Sequence, residues 1–73
     1  MTSETKLKLL QSHDIACITP LQNGCFEIKL MYVEEITIFT RKELEEAVRT
    51  LGVLQDNCEM IYTNLYYTRS NVL

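Results

Sequence analysis

The side chains best suited to hold a soft metal ion, or to act as nucleophile and base, are His13, Cys17, Cys25 and Cys58. Four such ligands suffice for zinc. None forms a Cys-x-x-Cys or His-x-x-x-His pair, so no chelate is written into a local stretch and no metal is expected. Free cysteines are commonly small core residues. His13 with Asp14, or with a cysteine, makes a nucleophile and base on paper. A general base also needs a cleft, and 73 residues leave little room for one. The expectation is a chain without enzymatic activity and without a cofactor.

Val48, Leu51, Gly52, Cys58 and Ile61 have a spacing that resembles the helix-turn-helix pattern of DNA-binding proteins. In that pattern a small apolar residue precedes the turn glycine by four, and two apolar anchors follow it by six and nine. The resemblance covers residues 44–64 and implies a DNA-binding regulator, with Gln55 and Asn57 as base-reading side chains. An ordinary helical hairpin lying on a sheet has the same spacing, and its short turn also needs glycine. Charge argues against DNA. There is no Lys or Arg between Thr50 and Thr68, and Asp56 and Glu59 open the would-be recognition helix. Affinity for duplex DNA comes from neutralising phosphates, which this segment would repel.

Two groups remain as candidates for contact with a protein. Glu34, Glu35, Glu45 and Glu46, with Glu43, form an acidic set in a turn and on the outer face of a helix. A solvated face has the same composition, and Arg41, Lys42 and Arg49 interrupt it. Tyr62, Tyr66 and Tyr67 are an aromatic group near the C-terminus. Tyrosine offers a large contact area at low entropy cost and is favoured in binding hot spots. Core or rim packing is the plainer use of the same rings. On a helix, Tyr62 and Tyr66 share a face and Tyr67 points elsewhere.

The elements that must position these residues follow from patterning. Residues 1–12 fit a short helix capped by Thr2 or Ser3, although Lys6-Leu7-Lys8-Leu9 also alternates like a strand. Residues 15–33 read as a β-hairpin around Asn23-Gly24. A three-residue loop, Gln22–Gly24, places Pro20 opposite Phe26 at a non-hydrogen-bonded site, where a missing N–H does no harm. That register pairs Ile18 with Ile28 and Ala16 with Leu30. Ile36–Phe39 is a third strand. A loop over 33–35 turns Ile36 and Ile38 to the buried face with Leu30 and Tyr32.

Thr40 and Glu43 form a capping box, and Phe39 and Leu44 stand at the positions of a hydrophobic staple. Leu44, Ala47, Val48 and Leu51 make the buried stripe of the helix that follows, and Gly52 stops it. Residues 56–68 carry both a helical stripe (Cys58, Ile61, Tyr62, Leu65) and runs of strand formers. The fold expected is α+β: a three-stranded antiparallel meander backed by the capped helix, with a second helix or a fourth strand over 56–68. The chain is one domain, with a loose tail over 69–73.

Hydrophobic residues make up 47% and charged residues 23%, which are globular values. The longest apolar run, Leu30–Val33, is far short of a membrane span. No signal-like segment opens the chain, and three cysteines are not a disulfide framework, so the cytoplasm is the expected compartment. A net charge of −3 suits a basic protein surface better than nucleic acid. A domain of this size buries only about 60% of its unfolded surface, so self-association as a homodimer would suit it.

In size, acidity and the order strands-then-capped-helix, the chain resembles many small phage-encoded accessory proteins, anti-CRISPR inhibitors among them. The resemblance is one of type, spans the whole chain and rests on no diagnostic motif. It implies inhibition by occluding a host protein surface, with no chemistry performed.

Overall fold

The computed structural model describes residues 1–52 and 56–67. The element order is α1 (Ser3–Ser12), β1 (Ile15–Pro20), β2 (Phe26–Leu30), β3 (Ile36–Phe39), α2 (Arg41–Leu51) and α3 (Asp56–Tyr66). The strands form one antiparallel sheet in the order β1-β2-β3. This is the expected α+β meander, with helices at 3–12 and at 56–66. The expected tail over 69–73 lies outside the described residues.

The helices close over one face of the sheet. Leu10 of α1, Leu44 and Ala47 of α2, and Ile61 and Leu65 of α3 meet Ile15, Phe26, Ile28, Leu30 and Phe39 in a single core. Each helix turns its apolar stripe inward because only that arrangement removes it from water.

The first hairpin follows its turn chemistry. The Leu21 N–H donates to the Cys25 carbonyl at 2.9 Å, and the Gly24 N–H to the Leu21 carbonyl at 3.3 Å. Gly24 has φ +84°, which closes the three-residue loop as a glycine bulge. Pro20 stands opposite Phe26 and Ile18 opposite Ile28, as the proline argument requires.

The far end of that hairpin differs. Leu30 faces Ile15 and not Ala16, and the ladder is interrupted between Ile15 and Cys17. Ile15 and Ile18 are three apart, which a period of two cannot place on one face. Bulging out Ala16 turns both inward: Ile15 is buried and Ala16 exposed.

The second hairpin corrects the expected register. Phe39 pairs with Phe26 and Thr37 with Ile28, so Thr37 and Phe39 face the core while Ile36 and Ile38 face outward. The connection runs over residues 31–35, not 33–35. Tyr32 does not join the buried face; it is fully exposed at φ +65°. The cause is Phe39. It is the largest side chain of the strand, and the start of α2 forces it into the core, so its odd-numbered partner is Thr37.

α2 begins as its capping box dictates. The Thr40 hydroxyl accepts from the Glu43 N–H at 3.1 Å, and the Glu43 carboxylate accepts from the Thr40 N–H at 2.9 Å. Gly52 follows the helix at φ +87°, a conformation that side chains rarely adopt.

Candidate functional site

α2 and α3 are consecutive helices packed against one another. Antiparallel packing sets the last turn of α3 beside the first turn of α2, and the tyrosines stand there. Tyr62 and Tyr66 lie one turn apart on α3, with ring centroids 4.7 Å apart at 54°. Tyr67, just beyond the helix, does not point elsewhere. Its ring lies 5.6 Å from that of Tyr62 at 53°. All three are part exposed, at 43%, 45% and 54% for Tyr62, Tyr66 and Tyr67. Cys58, Ile61 and Leu65 supply the buried side of α3, which leaves the tyrosines on its outer flank. Tilted aromatic contacts of this kind are favourable and restrict the rings.

Arg41 completes the cluster. Its guanidinium sits 5.5 Å from the centre of the Tyr66 ring and donates to the Leu65 carbonyl at 3.1 Å. It also meets the Glu45 carboxylate at 3.4 Å. One cation therefore stacks on the aromatic face and occupies a carbonyl in the last turn of α3. Further along the same groove, Val48, Cys58, Glu59 and Tyr62 line a crevice of about 430 Å³.

The acidic residues have different neighbours. Glu45 joins the tyrosines through Arg41, while Glu46 pairs with Arg49 at 3.2 Å on open surface. Glu34 and Glu35 are exposed in the 31–35 connection. Glu43 is a structural group. Burial would raise its pKa; the Ser3 hydroxyl, the Thr40 N–H and the Lys6 ammonium outweigh burial and lower it to about 2.

Of the two residues singled out to read bases, Gln55 lies outside the described residues. Asn57 is 5% exposed and faces inward. Its amide N–H groups donate to the carbonyls of Leu10 and His13, both at 2.7 Å, and its carbonyl accepts from the Ile15 N–H at 2.9 Å. It ties α3 to the junction of α1 and β1, and both of its N–H donors are taken. Asp56 and Glu59 are exposed at the start of α3.

Cys17 is exposed, Cys25 half-buried and Cys58 buried, the last with its thiol directed at the Val48 carbonyl at 3.6 Å. Among the described residues no three His, Cys, Asp or Glu side chains stand close enough to share a metal ion. No described helix is long and apolar enough to cross a membrane.

Sequence reasoning missed Arg41 as a partner of the tyrosines. The signal was available: a helical hairpin through Gly52 brings the first residue of α2 to the last turn of α3. Asn57 gave no such signal, because a polar residue in the first turn of a helix normally faces water.

No protein-family model matches the sequence, and no curated protein or solved structure is significantly similar to it.

Proposed function

We propose that the chain is a small, non-catalytic protein-binding module, acting as phage-type inhibitors do by covering a surface of a host protein. The observation that supports this most is the cluster of three part-exposed tyrosines held against one another and against Arg41. Tyrosine and arginine are the residue types over-represented at binding hot spots. Their mutual contacts reduce the side-chain entropy lost on binding. The net charge of −3 favours encounter with a basic surface, and Glu45 and Glu59 sit at the rim of the groove to set the register. The cytoplasm is the compartment in which such a chain with unpaired thiols would work.

The packed pair of α2 and α3 keeps a helix-turn-helix regulator as the second reading. It has lost Asn57 as a base reader and keeps two exposed carboxylates where phosphates would lie.

The test is capture from native host lysate by immobilised wild-type chain and by the Tyr62→Ala/Tyr66→Ala variant, side by side. The expected result is a stoichiometric protein retained by the wild type and lost from the variant, with the melting temperature of the variant within a few degrees of wild type. Each hot-spot ring is worth about 2 kcal/mol, so the pair should reduce affinity by well over about 100-fold. Equal capture by both chains would remove the tyrosines from the binding surface.

A further inference from the structure

The outward face of the sheet is a second bare surface, apart from the tyrosines. Cys17, Thr19, Ile36 and Ile38 are exposed there, Ile36 at 52% and Ile38 at 42%. Between them the central strand presents Glu27 and Lys29, both half-buried. Among the described residues Glu27 makes no ion pair. The Lys29 ammonium donates to the carbonyls of Leu30 and Val33 and, among the described residues, forms no salt bridge. A cation and an anion thus stand two residues apart in the middle of an aliphatic face.

Both edges of the sheet are blocked against a further strand. At the β1 edge Pro20 has no N–H to offer and Ala16 breaks the ladder. At the β3 edge the Lys6 ammonium already occupies the Ile38 carbonyl at 2.7 Å. Edge pairing is thereby hindered on both sides, which leaves the face for association through this sheet.

We propose that two copies of the chain pack sheet against sheet through this face, about a two-fold axis crossing the strands over Ile28. The surface is self-complementary under that operation. Each β2 runs antiparallel over its counterpart, so Glu27 meets the partner's Lys29 and Lys29 meets the partner's Glu27. The observed pairings Glu27–Ile38 and Lys29–Ile36 then set Ile38 over the partner's Ile36. The pairings Thr19–Glu27 and Cys17–Lys29 set Thr19 over the partner's Cys17. Every row meets a chemically matched row, which is the requirement of a two-fold interface. Aligned sheets pack about 10 Å apart, a distance that the long Glu and Lys side chains bridge readily. The three strands, six, five and four residues long, cover a footprint of roughly 240 Å², against about 800 Å² per partner in a stable complex. The dimer is therefore weak, forming at high concentration and dissociating on dilution.

Sedimentation equilibrium of the reduced full chain, from roughly 20 μM to 2 mM, covers the range in which so small an interface assembles. The expected result is a mass rising from that of one 8.5 kDa chain toward two. Ile36→Thr/Ile38→Thr, which keeps β-branched residues in the strand, should remain monomeric throughout. Glu27→Lys should weaken the dimer by about 100-fold, because the two-fold breaks the charge pair twice and each is worth about tenfold. Glu27→Lys/Lys29→Glu should restore it, because the two-fold match survives the exchange. Circular dichroism checks that each variant is folded. A wild-type chain that stays monomeric across the range overturns the proposal. So does an exchanged double variant that remains as weak as Glu27→Lys alone.

Discussion

The two bare faces of the molecule are built differently. The α3 face is aromatic, carries hydroxyls and is braced by an arginine. The outer sheet face is aliphatic and holds one charge of each sign, Glu27 and Lys29. The first has no internal symmetry; the second matches itself under a two-fold. Their supports differ as well. α3 is fixed by Asn57, a neutral amide sealed from water and bonded to three backbone groups. The end of β3 is fixed by Lys6 and Glu43, an ion pair at 3.0 Å whose ammonium also reaches the Ile38 carbonyl. A buried neutral support should be strong and indifferent to pH. A charged one near the surface should be weaker and should fail in acid.

Removing Asn57 gives the largest effect. Asn57→Ala leaves the Leu10 and His13 carbonyls and the Ile15 N–H buried without partners, at a cost of about 3 kcal/mol. A domain of this size has only ~3–5 kcal/mol to lose, so the variant should keep about 0–2 kcal/mol and melt far below wild type by circular dichroism. Asn57→Asp should be no better, since a carboxylate cannot donate to two carbonyls. A variant that melts like wild type would remove the contrast between the two supports.

Glu43 comes next. Its pKa of about 2 in the folded chain lies below the ordinary value of 4.5, so folding is favoured by its ionised form. That contribution is complete above pH 4.5 and is lost as pH falls toward 2. Glu43→Gln should cost about 1–2 kcal/mol at neutral pH and should flatten the stability profile across this acid window. Urea melts at several pH values check both; a wild-type profile already flat between pH 4.5 and 2 contradicts the assignment.

The smallest effect belongs to Lys6→Met. It removes one partly exposed ion pair and a contact of the ammonium with the Phe39 ring at 5.5 Å. The cost should be below about 1 kcal/mol, which lowers Tm by a few degrees. It also frees the Ile38 carbonyl, so the variant should aggregate more readily through the β3 edge, as light scattering would show.

These supports also mark what the sequence alone made legible. The first hairpin was readable because Pro20 and Gly24 each permit few positions, and together they leave one register. The bulge at Ala16 was implied by the three-residue spacing of Ile15 and Ile18, but no local signal says which residue a bulge expels. The register of β3 was misread for a reason present in the sequence itself. Phe39 was recognised as a staple residue, which requires it to face the core. Neighbouring residues of a strand face opposite ways, so Ile38 and Ile36 had to face outward. The capping box outweighs the aliphatic alternation because it fixes the chain direction entering α2. Asn57 was opaque, since its partners at Leu10, His13 and Ile15 are more than forty residues away. Tyr62 and Tyr66 were legible as a pair from helical spacing, whereas Tyr67 was expected to point elsewhere. Their exposure, and Arg41 beneath them, depended on how two helices pack.

The claim that the tyrosine face binds a protein is tested most directly by capture from native host lysate, with and without nuclease, read by mass spectrometry. The expected result is a stoichiometric protein partner that survives nuclease treatment and is lost on Tyr62→Ala/Tyr66→Ala. Recovery that disappears with nuclease would contradict it, and would make nucleic acid the ligand of α2 and α3.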